Sequence, residues 1–449
     1  MAFGGGAFTA QNKTLPGAYI NFVSAANASS ALSDRGIATI ALPLNWGADD
    51  KVFTVTASDF KKNSNTIFGY SVDADELKPV REIFKNAITL HCFRLNGGGK
   101  QAECTFAKAK YTGTRGNDIA IVIEKNVDEQ SKFDVKTVFD NKTVDIQTVA
   151  KASELVDNDF VTFISSANLI VTAKTALTGG TNGTADGESH QKYLDKIERY
   201  SFNAMGVATE DDSTKELYIS FCKRLRDEVG KKFQLVVYNK KADYEGVVNL
   251  KNDVTDGATK ADLVYWVTGL IAGVAVNKSC TNTKYDGEYT VNVDYTQAQL
   301  EQAIKDGEFT LQQSDDNICV LSDINSLVTV TVAKGDDFKS NQTIRVLDQI
   351  ANDIAVMFNT RYLGIIPNDR GGRNSLWKDI VKHHKELEQI RAIEDFNSDT
   401  VIVEQGDTKK SVVVTEAVTP VNAMEQLYMT VTVPVSYTHL RAHETDSYL

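Results

Sequence analysis

Apolar and polar residues change their spacing several times along the chain, and each spacing predicts a different kind of element. Residues 36–44, GIATIALPL, form a continuous apolar run that predicts a buried strand ending near Trp46-Gly47. Helical spacing follows over Ser58–Phe68 and Asp75–Ala87, with Asp75 placed to cap the second helix. From about residue 88 to 178 short alternating runs take over: ITLHCFRL, AECTFAKAKY, DIAIVIEKN, KFDVKTVF, KTVDIQTV and FVTFIS. Turn-forming Gly, Asn and Asp separate them. Strands at this spacing predict an antiparallel sandwich or barrel. The polar stretch ALTGGTNGTADG then reads as a boundary.

Between residues 190 and 325 strands alternate with helices. FNAMGVA predicts a strand. Ser213–Val229 predicts a helix, with Ser213 and Glu216 at capping-box spacing and Leu217, Phe221, Leu225 and Val229 as its stripe. FQLVVYN is nearly all apolar, as a strand buried on both faces should be. Helices over Lys260–Val276 and Thr296–Lys305 and strands FTLQQS and ICVLSD complete a βαβ rhythm, hence an α/β domain with a parallel core. From 340 to 433 two long helices are predicted. Ile344, Leu347, Ile350, Ile354 and Met357 line the first; Leu376, Ile380, His384, Leu387 and Ile390 line the second, with NDRGGRNS as a polar loop between them. A closing hairpin is expected to pair SVVVTEAV with QLYMTVTV. Residues 1–27 hold only one strand pattern, AYINFV, and bury little alone.

Composition narrows the function. The chain has 449 residues, 48 Lys+Arg against 60 Asp+Glu, and a net charge of −12. Such acidity argues against nucleic acid, whose binding needs a basic surface. No apolar run approaches the roughly 20 residues of a membrane span, and the start lacks a secretion signal's basic and apolar regions. A soluble intracellular protein or an assembly subunit is expected, with no membrane insertion. Only 6 residues are Pro, and Thr and Val are plentiful, which suits strands. The 6 histidines are few for an enzyme of this length.

Candidate chemistry is sparse. Cys92, Cys104, Cys222, Cys280 and Cys319 include no CxxC pair and read as reduced, buried thiols; Cys92 and Cys104 are placed to face each other across a hairpin. His383 and His384 are adjacent on a predicted helix, about 100° apart, and read as surface and core edge, not as two ligands of one metal. Ser189-His190 in GESHQ lacks the GxSxG elbow. GGGK at 97–100 is followed by Gln101, not the hydroxyl a P-loop needs, and reads as a hairpin tip. Gly206 alone makes no dinucleotide fingerprint. Asp211-Asp212, after the first strand of the α/β region, is the best seat for a hydrolase-like activity, the rival reading. Metal, cofactor and catalytic residues are expected to be none. The end, PVSYTHLRAHETDSYL, breaks the strand period at Pro434. Val435 through Glu444 look like a translated sequencing-library transposase adapter, so His439 and His443 receive no role.

One combination is specific: a glycine-rich arm, RGIATIALPLNWG, a strand domain with YTGTRGNDIAIVI, LTGGTNGT, an α/β domain, FNTRYLGIIPNDRGGRNSLWKDI and a closing hairpin. It resembles the tail sheath protein of contractile phage tails and R-type bacteriocins. The resemblance implies an α+β multidomain fold: an antiparallel β-sandwich inserted before a subtilisin-like, non-catalytic α/β domain, then an α+β C-terminal domain, with extended terminal strands. The expected domains are 1–27 (arm), 28–87 (N-terminal core), 88–180 (sandwich), 181–335 (α/β), 336–433 (C-terminal) and 434–449 (adapter).

The resemblance further implies hexameric rings stacked around a tail tube, with baseplate and tail terminator as further partners. Contraction would drive the tube through the cell envelope. The location would be the virion tail, assembled in the bacterial cytoplasm. Inter-subunit strands would be Ala18, Tyr19, Ile20, Asn21, Phe22 and Val23 in the arm and Leu427, Tyr428, Met429, Thr430, Val431, Thr432 and Val433 at the end. Their acceptor would lie near Ser411–Val418. Asp369, Arg370, Arg373 and Trp377 would face the tube. The alternative is that both strands pair within their own subunit. A tube or other virion structural protein is the second rival; tubes are smaller and lack the α/β domain.

Overall fold

The apolar run after Gly36 forms strand β1 (Ile37–Leu42) in a computed structural model that describes residues 32–433. The expected arm strand Ala18–Val23 and everything from residue 434 lie outside the described residues. Strand β2 (Val52–Thr56) runs into helix α1 (Ala57–Phe68) through a capping box: the Thr56 hydroxyl accepts from the Asp59 amide at 3.1 Å, and the Asp59 carboxylate accepts from the Thr56 amide at 3.4 Å. The helix stops at Gly69, φ +79°, where a Cβ would meet Trp46 at 2.7 Å. Helix α2 (Lys78–Phe84) starts from a 3₁₀ turn that contains Asp75, so Ala74, without a side-chain cap, holds the position expected for Asp75.

Strand β3 (Thr89–Arg94) corrects the expected domain plan. It pairs in parallel with β1, Ile37 opposite Thr89 through Leu42 opposite Arg94, and antiparallel with β2. ITLHCFRL is therefore not a sandwich strand, and GGGK is not a hairpin tip. Alternation in the run reports a strand but not its partner, which lies about fifty residues earlier. Gly97–Gly99 is instead the crossing into a second domain. There the outgoing and returning chains bridge, Lys100 and Thr181 exchanging N–H···O bonds of 3.0 Å. A Cβ on Gly99 would lie 1.9 Å from the Thr181 oxygen, and one on Gly183 1.9 Å from the Gly97 oxygen. Only glycine permits that approach.

The second domain is the expected antiparallel sandwich. Its strands are β4 (Gln101–Glu103), β5 (Ala107–Thr112), β6 (Ile119–Lys125), β7 (Phe133–Phe139), β8 (Lys142–Val149), β9 (Val161–Phe163) and β10 (Thr172–Ala176). One sheet is ordered β4-β5-β9 and the other β10-β6-β7-β8. Val135, Thr137 and Phe139 turn inward along β7 with the period of two that the sequence shows. Trp46, from the segment behind β1, joins this core, edge-on to Tyr111 at 5.2 Å.

The chain then returns to the first sheet. Helix α3 (Gly187–Ile197), strand β11 (Ala204–Val207), helix α4 (Asp212–Arg224) and strands β12 (Gln234–Tyr238) and β13 (Val247–Leu250) are followed by helices α5 (Leu263–Gly273) and α6 (Gln297–Lys305) and strand β14 (Glu308–Phe309). The sheet order is β14-β13-β12-β11-β1-β3-β2, parallel except for β2. The sandwich is thus inserted within the α/β domain, not before it. Helices α1, α2 and α5 cover one face and α3 and α4 the other. Leu235, Val236 and Val237 are each fully buried between these layers, contributing about 1.5–3 kcal/mol apiece. Helix α4 is capped by Asp211, not Ser213. It loosens into a π turn over Leu225–Val229, so Val229 leaves the expected apolar stripe and is 56% exposed. Strands β15 (Leu311–Ser314) and β16 (Asn317–Val320) form a hairpin.

The C-terminal region holds helices α7 (Asn341–Met357) and α8 (Arg370–Gln389). NDRGGRNS is no loop throughout: Asp369 accepts from the Gly372 amide at 2.7 Å and opens α8 at Arg370. Strand β17 (Ile393–Glu394), strands β18 (Ile402–Gln405) and β19 (Val412–Thr415) and strand β20 (Thr419–Pro420) follow. The closing hairpin is β18 with β19, while β17 pairs with β20; QLYMTVTV takes no part. Arg226 and Asp348 join this region to α4 by a buried bidentate pair at 2.6 and 2.8 Å. Burial opposes the Arg226 charge, but Asp348 more than offsets it and its pKa is raised. Asp348→Ala is expected to leave that guanidinium buried and unpaired, costing about 3–5 kcal/mol, with Asp348→Asn milder; urea unfolding midpoints measure both.

Candidate functional site

The positions that could carry chemistry have local structural jobs. Ser189 donates to the Asp186 carbonyl at 2.7 Å within the α3 cap, while His190 Nδ1 faces the Tyr218 hydroxyl at 2.8 Å. Burial holds the His190 imidazole below its ordinary range. Asp211 caps α4 and is held below the usual carboxylate range by Thr214; Asp212 is lowered by its ion pair with Lys215. Cys92, Cys222 and Cys280 are buried free thiols, Cys222 pushed up to about 12 by burial. Cys92 sits in the large sheet and Cys104 in the sandwich, so they do not face each other across a hairpin. A cleft of about 320 Å³ beside the end of β3 is lined by Arg94, Asp186 and Lys192. Arg94, however, is turned to Asp49 at 2.9 Å and the Thr112 carbonyl at 2.8 Å, which locks the joint between domains. Among the described residues no group of three or more His, Cys, Asp and Glu is placed to hold a metal. No described helix is long and apolar enough to cross a membrane. His383 and His384 are both buried, correcting the surface and core-edge reading.

The unusual features are surfaces. Behind β20 the chain is strapped down step by step. Val421 donates to Ala392 O at 3.0 Å, Asn422 accepts from Ser340 at 2.9 Å, Ala423 donates to Gln342 at 3.0 Å, and Glu425 accepts from Thr281 at 2.6 Å and Ser322 at 2.9 Å. From Gln426 onward the fastening ends. Residues 426–433 have no strand partner among the described residues, and both faces lie open. Leu427 is 85% exposed, Tyr428 88%, Met429 73%, Val431 70% and Val433 77%. Thr430 and Thr432 are exposed beside them. Close by in sequence, the β18–β19 hairpin has no third strand among the described residues, and Ile402, Val413 and Val414 are exposed. The ribbon packs one side on α8, where Val403 and Val412 meet Leu376, Trp377 and Ile380, and leaves its strand edges open.

The four expected tube-facing residues sit together at the start of α8. Asp369 is its cap. Arg373 donates to the Asn368 backbone and side-chain oxygens at 3.1 and 3.0 Å, and Trp377 Nε1 donates to Val401 O at 2.9 Å. Arg370 is exposed. Sequence reading overlooked the segment just before them, where Leu363, Ile365 and Ile366 are exposed. Its signal was YLGIIP, an apolar run with neither helical nor strand period, closed by a proline.

Four family models match in succession along this architecture. Tail sheath protein Gp18 domain III N-terminal region covers residues 35–95, the phage tail sheath protein beta-sandwich domain 96–182, its central domain 183–326, and the phage tail sheath C-terminal domain 333–434. The sandwich match begins after β3, at the observed crossing. Phage-like element PBSX protein XkdK of Bacillus subtilis (strain 168) is 34% identical, over 96% of this chain and 99% of that protein. The crystal structure of a sheath tail protein from Desulfitobacterium hafniense matches with TM-score 0.78 and 36% identity over 93% of this chain and 100% of that one. The helical sheath of the anti-feeding prophage in its contracted state shares the fold, with TM-score 0.54 and 12% identity, over 94% of this chain and 99% of that one. The chain belongs to the phage tail sheath protein family. As such it is a component of a virion or phage-like particle.

Hydrogen exchange on the isolated subunit checks where the strap ends. Amides of Val421 and Ala423 are expected to be protected and those of 427–433 to exchange at nearly the free-chain rate.

Proposed function

We propose that this chain is a non-enzymatic structural subunit that polymerises as stacked hexameric rings around a tail tube, and that contraction of the lattice drives the tube through the target envelope. The observation that carries the reading is the segment 426–433, an exposed run of alternating apolar residues with no strand partner among the described residues, while the β18–β19 hairpin has no third strand among them. β-Strand addition answers both needs, because main-chain hydrogen bonds satisfy the open edge and alternate side chains find pockets. A subunit that donates at one place and accepts at another makes a heterologous contact, and such contacts grow rings and helices. Leu427 through Val433 would be donated at one end and Ala18 through Val23 at the other. The acceptor would lie in β19 and the residues up to Val418.

Contraction is then a rigid-body rearrangement of subunits that stay tethered by these strands. Asp369, Arg370, Arg373 and Trp377, with the exposed Leu363, Ile365 and Ile366, form the surface we assign to the tube. Baseplate and tail terminator would meet the ends of the lattice, which would assemble in the bacterial cytoplasm. The α/β domain serves as a scaffold of subtilisin type without catalysis; Asp211 and Asp212, the rival hydrolase's best seat, are consumed by a helix cap and an ion pair.

Negative-stain microscopy of the purified protein is expected to show striated hollow cylinders. Removing residues 1–24 or residues from 426 onward should abolish them while the circular dichroism and melting temperature of the remaining subunit stay near the starting values. Cylinders that persist after both truncations would overturn strand exchange; a protein that remains monodisperse and monomeric at high concentration would overturn polymerisation itself.

A further inference from the structure

Helix α8 carries two buried titratable groups that the assembly reading does not use. The rings of His383 and His384 are 1% and 0% exposed, and their Nδ1 atoms face each other at 3.2 Å. Each ring turns its other nitrogen to a carboxylate: His383 Nε2 to Asp353 of α7 at 3.0 Å, and His384 Nε2 to Glu416 at 3.1 Å. The result is a line, carboxylate–imidazole–imidazole–carboxylate. Where both Nε2 atoms donate to the carboxylates, the facing Nδ1 atoms have one proton to share between them. Three N–H protons on two rings is one more than two neutral imidazoles carry. With one proton fewer, a contact in the line is lost. With one more, two N–H groups point at each other and the rings must part.

The two ends are not equally held. Asp353 also accepts from the Ser33 hydroxyl at 2.5 Å and from Gln349 Nε2 at 2.8 Å. Burial opposes its charge, yet these bonds and His383 keep it below the usual carboxylate range. Glu416 is about a quarter exposed and sits between β19 and β20, at the head of the strap that runs to Glu425. Other groups around the pair are accounted for. The Phe396 ring lies edge-on to His384 at 5.1 Å and carries no charge. Glu388, one turn along α8, is occupied by the Phe396 amide at 3.0 Å. Lys382 and Glu386 pair with each other, with Lys382 mostly in solvent.

We propose that His383 and His384 form a proton-sensitive latch that fastens the C-terminal hairpin and strap to α8, closed by one shared imidazolium and opened when the second ring is protonated. The yielding contact is His384 with Glu416, because the Asp353 end is held from three sides. Opening loosens residues 412–425 whether or not the segment behind them is exchanged between subunits, so the latch stands apart from the strand-exchange reading.

Hydrogen exchange on the full chain between about pH 8 and pH 5, where imidazoles titrate, tests it after correction for the intrinsic pH dependence of exchange. Amides of residues 412–425 are expected to exchange at least tenfold faster at the acid end. His383→Gln leaves His384 alone with Glu416, where full protonation causes no clash, so the acid step should vanish with the strap still protected. His384→Gln should give fast exchange at both ends of the range. Should His383→Gln fail to fold, the presence or absence of the wild-type acid step still decides. A wild type with no acid step, or a His383→Gln variant that keeps the step, would overturn the latch.

Discussion

Everything else in this subunit hangs on where strand β1 lies. Ile37–Leu42 is clasped in parallel between β3, about fifty residues later, and β11, more than 160 residues later. Asn203 secures the second pairing: its side-chain oxygen accepts from the Gly36 and Ile37 amides at 3.0 Å, while its own amide donates to Ile37 O at 2.8 Å. Parallel pairing requires a crossover, and here the crossover between β3 and β11 includes a complete β-sandwich. That domain must leave and return at one point, so the chain crosses itself at Lys100 and Thr181, and the glycines there have no room for a Cβ. Trp46 and Arg94, both adjacent to this point, tie the two domains together from the apolar and the polar side.

The C-terminal region is tied to the same sheet by buried ions. Arg226–Asp348, 122 residues apart, and Arg345–Asp323, 22 apart, are nearly solvent-free pairs. Arg35 donates to the Ile271 and Val274 carbonyls at the end of α5, with its pKa lowered to about 9 by burial and by neighbouring Arg345. Such pairs recover little free energy beyond their desolvation, but each tolerates only one geometry, because a misplaced charge is left buried and unpaired. They make the C-terminal helices and the sheet one body.

Against that rigidity stands the segment 426–433, which has no strand partner among the described residues. Along residues 421–425 almost every residue is fastened; over the next eight none is tied to the rest of the subunit among the described residues. Apolar side chains on both sides of an extended segment gain nothing from water, and a lone strand cannot satisfy its own backbone.

The sequence by itself determined the elements whose signal is local. The all-apolar run FQLVVYN became a central strand, the period-two runs from AECTFAKAKY onward became the sandwich, and the order of modules led to the sheath family. It misassigned what depends on partners. ITLHCFRL looks like the sandwich strands that follow, because alternation does not reveal which sheet a strand joins. SVVVTEAV and QLYMTVTV look like mates, yet β19 pairs backward with β18. Asp211 outcompeted Ser213 for a cap two residues away. The burial of His383 and His384, their mutual contact and their two carboxylates were likewise invisible, since Asp353 and Glu416 are about thirty residues away on either side. Only the tertiary structure decided these points, because they turn on register and packing between distant segments, and the periodicity of a single segment carries no record of its neighbour.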